Sequence, residues 1–173
     1  DGISSCDRRP DVLRDIFIVT EEFFLPNVSL DVYVKMNRPF YPNFSQEVLD
    51  RCLQDFELPL SLNLNELSMG QKKKAYMSFA LATGTKYLFM DEPTNGLDPE
   101  AVFRLRREIE EIRQRGSAVL ISSHQLSEVE KIADRIVAID DGMVCFDGKL
   151  DDLSDRFENL EEFYKNLYGA DKK

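Results

Sequence analysis

The segment that most constrains this 173-residue chain is Tyr87-Leu88-Phe89-Met90, an uninterrupted apolar run that ends in Asp91-Glu92-Pro93. Consecutive apolar residues without polar alternation predict a strand covered on both faces, the environment of a parallel sheet between helices. Such a strand delivers its two carboxylates together at its C-terminal tip. Soon afterwards Asp98-Pro99 supplies an N-cap and a proline at the first helical position, and Val102, Leu105, Ile109 and Ile112 mark the buried stripe of the helix that follows. Gly116 closes that helix, and Ala118 to Ile121 reads as another buried strand. Strands alternating with helices imply an α/β fold built on a mostly parallel sheet flanked by helices.

The rest of the chain extends the pattern. Ile16 to Val19 reads as a buried strand between Asp15 and the pair Glu21-Glu22, and Asp1-Gly2 reads as a turn. Leu30 to Met36 and Gln46 to Phe56 have apolar residues at helical spacing, with Val48, Leu49, Cys52, Leu53 and Phe56 on one face, and Pro39 and Pro42 separate the two helices. A turn-prone stretch from Pro59 to Asn65 precedes a helix expected from Gly70 to Ala82, ended by Gly84. A further helix is expected from Gln125 to Ala133. Ile136 to Ile139 and Met143 to Phe146 flank Asp141-Gly142 as a hairpin. Leu160, Phe163, Tyr164 and Leu167 predict a final amphipathic helix, with Lys172 and Lys173 fraying beyond it.

Charge and cysteine content exclude several classes. With 32 acidic against 22 basic residues the net charge is −10, so no nucleic-acid partner is expected. The run Lys72-Lys73-Lys74 is read as a solvated helix face rather than a basic patch. Cys6, Cys52 and Cys145 are odd in number and widely spaced, which suits neither a disulfide framework nor a zinc site and fits a reducing cytosol. No apolar run approaches the roughly 18 residues that span a bilayer.

Several residues carry candidate chemistry. Asp91 offers a hard oxygen ligand for Mg²⁺, and the neighbouring Glu92 suits activation of an attacking water; taken alone, the pair is equally well explained as solubilising a strand end. Ser68 and Gly70 lie where a helix begins, so backbone N–H groups and the positive end of the helix dipole favour an anion, although Ser68 also reads as an ordinary N-cap. His124, the single histidine, follows an apolar strand and by itself reads as a polar cap at a helix start.

The order of these elements carries more than any one of them. Leu67-Ser68-Met69-Gly70-Gln71, then Met90-Asp91-Glu92-Pro93-Thr94-Asn95-Gly96-Leu97-Asp98, then Ser122-Ser123-His124 resembles the ATP-binding cassette (ABC) ATPases, over essentially the whole chain. In that family a signature motif precedes the Walker B strand and catalytic glutamate, a D-loop and a switch histidine. The resemblance implies a P-loop NTPase-like ABC fold with a helical signature subdomain. It also implies roles: Asp91 as the magnesium ligand, Glu92 as the base that polarises the hydrolytic water, and His124 as the contact to the γ-phosphate. Ser68, Gly70 and Gln71 would reach across a dimer to nucleotide held by the other subunit, and Asp98 would be the D-loop aspartate at the interface. Met69 departs from the commoner glycine. Where the family places a glutamine after the first strand this chain has Thr20-Glu21-Glu22, so Glu21, or Thr20 under a one-residue shift, takes that place.

The chain contains no Gly-x-x-x-x-Gly-Lys-Ser/Thr; its one Gly-Lys, Gly148-Lys149, is followed by Leu150. The expectation is therefore the distal two-thirds of a cassette, truncated at the N-terminus, with residues 1–26 as catalytic core, 27–84 as the helical subdomain and 85–173 as the remaining core. A missing central strand would leave sheet edges and apolar surface open and promote self-association. The resemblance implies a nucleotide-binding subunit of an ABC transporter that uses ATP and Mg²⁺, pairs with a second ABC ATPase subunit and works through a transmembrane permease subunit from the cytoplasmic side. The chain alone is expected to hydrolyse essentially no ATP. Within the family, the bacterial exporters are the nearer match. The alternatives are a non-transport cassette gating binding in translation or DNA maintenance, and a regulatory fragment without catalysis.

Overall fold

A computed structural model describes residues 9–169, so the Asp1-Gly2 turn, Cys6 and the terminal lysines fall outside the described residues. The chain divides between Ser122 and Ser123 into two compact units. In the first, helix α1 (Pro10–Leu13) leads into strand β1 (Ile16–Val19), then helices α2 (Leu30–Asn37), α3 (Gln46–Asp55) and α4 (Met69–Ala82), strand β2 (Tyr87–Asp91), helix α5 (Pro99–Gln114) and strand β3 (Ala118–Ser122). The three strands form one sheet in the order β1-β2-β3, parallel throughout, with Ile16 opposite Tyr87 and Tyr87 opposite Ala118. That is the sheet the alternation of elements predicts.

Helices α2 to α5 each start where the sequence supplies a side-chain acceptor for orphan N–H groups. Ser29 caps α2, Ser45 caps α3 and Asp98 caps α5 with Pro99 at its first position. Ser68 and Gln71 make a reciprocal capping box on α4, which begins at Met69 rather than at Gly70. Gly84 follows the end of α4 at φ +62, and a Cβ there would come within 2.4 Å of the Asn43 carbonyl oxygen, so both backbone and packing require glycine.

The core of this unit gathers around Phe79 on α4, whose ring meets Phe17, Tyr33, Tyr41 and Phe44. The stripe Val48, Leu49, Cys52 and Leu53 of α3 and the stripe Val102, Leu105, Ile109 and Ile112 of α5 are buried as their spacing predicts. Full burial of each such aliphatic side chain contributes about 1.5–3 kcal/mol. The three strands, in contrast, are not covered on both faces. One face is buried through Phe17, Val19, Leu88 and Met90, whereas Ile18, Tyr87 and Leu120 on the other remain 54%, 41% and 58% exposed. The apolar runs correctly mark strands, and a run of apolar side chains records what a strand can bury rather than what lies against it in this chain.

The second unit holds helix α6 (Leu126–Val129), strands β4 (Arg135–Asp140) and β5 (Met143–Lys149), and helices α7 (Leu150–Ser154) and α8 (Leu160–Gly169). The hairpin turns at Asp141 and Gly142, both at positive φ, the two-residue type that Asp-Gly favours. The helix expected from Gln125 to Ala133 is regular only over α6, and turns carry the chain from Glu130 to Ala133. Leu153, Leu160 and Phe163 form a small core with Phe146 and Phe157, whose rings both pack against Phe163; Tyr164 is half exposed. Among the described residues, no helix is long and apolar enough to cross a membrane.

Candidate functional site

The C-terminal tip of β2 carries the two carboxylates. Asp91 is the last residue of the strand and is exposed; its Oδ1 accepts a hydrogen bond from the Ser122 hydroxyl at the end of β3. The strand register sets this pairing, because Asp91 lies directly opposite Ser122. The backbone then turns sharply. Glu92 has φ +44, a left-handed conformation uncommon outside glycine, and its N–H donates to the Ser122 carbonyl at 3.0 Å. Strained backbone of this kind persists only where surrounding contacts over-determine it. Two further turn bonds, from Asn95 N–H to the Glu92 carbonyl (3.2 Å) and from Leu97 N–H to the Thr94 carbonyl (3.2 Å), fold the loop that runs to Asp98.

Glu21 reaches this loop. Its Oε1 accepts from Asn95 Nδ2 at 3.0 Å, while the Thr20 hydroxyl turns back to the Glu22 carbonyl at 2.6 Å. Of the two residues considered for the place after β1, Glu21 is the one whose side chain meets the loop beyond β2.

The start of α4 lies against the same loop. A Cβ added at Gly70 would stand 3.4 Å from the Gly96 carbonyl oxygen, an ordinary contact distance. Ser68, Met69 and Gln71 are exposed, with Ser68 Oγ accepting from Gln71 N–H and Gln71 Oε1 accepting from Ser68 N–H. Asp98 caps α5 through the Ala101 N–H at 2.8 Å and pairs with Lys74 Nζ at 2.7 Å. The Lys74 ammonium, with the Ala101 N–H, holds the Asp98 carboxyl at about 2, below the usual carboxylate range. Lys74 also lies over the Phe56 ring, 5.9 Å from its centre.

The reading of Lys72 to Lys74 as a solvated face fails at Lys73, which is only 5% exposed. Its ammonium donates to the carbonyl oxygens of Glu92 (2.6 Å) and Asn95 (2.9 Å). Burial pulls its pKa down, and the carboxylates of Glu21, Glu92 and Asp91 pull in the other direction. A signal was available: Lys73 precedes the buried Met77 by one helical turn and shares its face. Asn95 gave no such signal, since its role depends on a turn whose geometry no local pattern announces.

His124 lies on a bend just past β3, at the start of the second unit, and its side chain is exposed. The structure thus brings Glu21, Gly70, Asp91, Glu92 and Asp98 to one end of the first unit's sheet, with Ser68 and Gln71 at the adjoining helix start. Among the described residues no group of three or more His, Cys, Asp or Glu side chains converges on a metal position. Mg²⁺ needs only one or two carboxylates and takes its remaining ligands from phosphate oxygens and water. Asp91, an exposed hard-oxygen donor steadied by Ser122, fits that requirement.

The chain is similar to several known ATP-binding proteins. A family model described as an AAA domain, putative AbiEii toxin, Type IV TA system, matches residues 52–130. The chain is 40% identical over 103 residues to a lantibiotic transport ATP-binding protein, SrtF, of Streptococcus pyogenes, an alignment covering 60% of this chain and 43% of that protein. It is 30% identical over 115 residues to a Nod factor export ATP-binding protein of Rhizobium etli, covering 66% of this chain and 36% of the relative. It is also 30% identical over 105 residues to the arginine transport ATP-binding protein ArtM of Bacillus subtilis, covering 60% and 44%. The alignments thus span less than half the length of these relatives. A solved structure of the ATP-binding subunit of an ABC transporter superposes with a TM-score of 0.85 at 27% identity, covering 96% of this chain and 73% of that one.

Proposed function

This chain is a homologue of the ATP-binding proteins of ABC transporters, and from that premise we propose that it forms part of a nucleotide-binding subunit that couples ATP hydrolysis to transport. The observation that carries the reading is the tip of β2, where Asp91 ends the strand with its carboxylate held by the Ser122 hydroxyl and Glu92 follows in a left-handed turn. Asp91 is the ligand for Mg²⁺, which when bound supplies positive charge to the phosphate oxygens. Glu92 takes a proton from a water whose oxygen attacks the γ-phosphorus; the bond from that phosphorus to the β,γ-bridging oxygen breaks, and its electron pair leaves with ADP. His124 contacts the γ-phosphate, and Glu21 monitors the nucleotide beside Asn95.

Ser68, Gly70 and Gln71 belong to a half-site offered to nucleotide bound by a second cassette, with Asp98 at the shared boundary. Three facts support this: the exposed start of α4, its N–H groups and dipole at the helix end, and a glycine at position 70 that internal packing does not demand. The segment 27–84 is the helical subdomain, and the partner is a transmembrane permease subunit that the chain meets from the cytoplasmic side of the membrane. Transport is preferred over translation or DNA maintenance because the relatives named above carry transport or export in their descriptions.

ATP-dependent pairing of cassettes tests the reading. In the protein that joins this chain to a phosphate-binding loop, Glu92→Gln is expected to leave ATP binding intact and to accumulate an ATP-bound dimer, seen by size-exclusion chromatography with light scattering. A variant that remains monomeric at saturating ATP while turning ATP over at the parent rate contradicts it.

A further inference from the structure

Resting on that reading of Glu92, we propose that Lys73 is a positioning residue that ties the start of α4 to the backbone of the Glu92–Asn95 turn and so fixes the direction of the Glu92 side chain. Its Nζ stands 2.6 Å from the Glu92 carbonyl oxygen and 2.9 Å from that of Asn95. Two carbonyl dipoles that converge on one point repel each other, and the Asn95 N–H that also reaches the Glu92 carbonyl does not lie between them. An ammonium between them turns the repulsion into attraction and makes charge-assisted hydrogen bonds, which are stronger than neutral ones. The turn it pins holds Glu92 at φ +44, a conformation that needs an external constraint. Because Lys73 is anchored in α4 and buried, the constraint comes from the helix whose exposed N-terminus carries Ser68 and Gly70. A shift of that helix on meeting nucleotide is thereby transmitted to the turn that aims Glu92. Lys74 makes a second, solvent-exposed link from α4 to Asp98, and the two differ in what they hold: Lys74 grips a side chain, Lys73 the backbone of the proposed base.

The test combines turnover with amide exchange. Lys73→Met keeps the length and removes the donor; Lys73→Gln removes the charge and keeps two N–H donors. In the protein that joins this chain to a phosphate-binding loop, Lys73→Met is expected to lower kcat for ATP tenfold or more while KM changes less than threefold, and Lys73→Gln to recover most of the loss. Hydrogen exchange at the Asn95 and Leu97 amides is expected to accelerate at least tenfold in Lys73→Met, with the Val102 amide of α5 unchanged. Unchanged kcat in Lys73→Met, a loss confined to KM, or equal exchange at Asn95 in both proteins overturns the proposal. Glu92→Gln, assayed alongside, separates the two ideas: full turnover there sinks the assignment of the base, while the exchange data still decide whether Lys73 holds the turn.

Discussion

Glycine at position 70 weakens α4 without any steric need inside the chain. A methyl group would meet only the Gly96 carbonyl at contact distance, and glycine within a helix costs up to about 1 kcal/mol relative to alanine. Gly70→Ala is therefore expected to leave the melting temperature unchanged or raise it, while reducing ATP turnover of the paired cassettes at least tenfold; a fall in thermal stability with turnover intact would reverse the assignment. Asp98 gives a pH prediction. Its folded-state pKa, about 2, lies below the unfolded carboxylate value, so its contribution is fully present above about pH 4 and is lost as pH falls towards 2. The stability difference between the parent and Asp98→Asn, followed by urea unfolding, is expected to be constant from pH 6 to pH 5 and to shrink on acidification; a difference that grows instead contradicts the pairing with Lys74. Most of the candidate side chains were legible in the sequence, because their order along the chain is itself the signal. Lys73 was legible only through its helical spacing to Met77, because the lysine run by itself looks the same whether its middle member is buried or solvated.

At the scale of elements, α3 and α5 are joined by a buried charge. Glu108 lies on the buried face of α5 and receives a forked pair of hydrogen bonds from Arg51 of α3, at 3.0 Å from Nε and 2.6 Å from the terminal nitrogen. Arg51 also pairs with Glu111 at 2.7 Å. Breaking a buried pair by removing one partner costs about 3–5 kcal/mol, since the other charge stays in the interior. Arg51→Met is expected to destabilise the first unit by about 3 kcal/mol in denaturant unfolding, and the double variant Arg51→Met/Glu108→Leu to recover most of it. A single variant as stable as the parent would show that Arg107, 3.4 Å from Glu108, suffices alone. Helix starts were legible because caps are local: Ser29, Ser45 and Asp98 each accept from an N–H three residues on. The length of α6 was not, because the apolar spacing from Gln125 to Ala133 is short enough to be served equally by turns.

At the scale of the whole molecule, the sheet of the first unit is the unusual feature. Parallel sheets are ordinarily covered on both faces, and this one exposes Ile18, Tyr87 and Leu120 on a single face, with β1 and β3 each paired on one side only among the described residues. The 173-residue chain by itself is expected to self-associate, and Leu120→Lys to shift light-scattering mass towards the monomer; a monodisperse monomer of the unaltered chain contradicts this. The sequence made the strands and their parallel order legible, but not their coverage, since what packs on a strand lies outside the strand.

We propose Glu92, aimed by the turn at the end of β2, as the base for ATP hydrolysis. Its most direct test is steady-state phosphate release at saturating Mg²⁺ and ATP by the protein that joins this chain to a phosphate-binding loop, with and without Glu92→Gln. General-base catalysis contributes about 10²–10⁴-fold, so Glu92→Gln is expected to lower kcat at least about a hundredfold with nucleotide binding unchanged, and a Glu92→Gln protein that hydrolyses ATP at the parent rate would contradict this role.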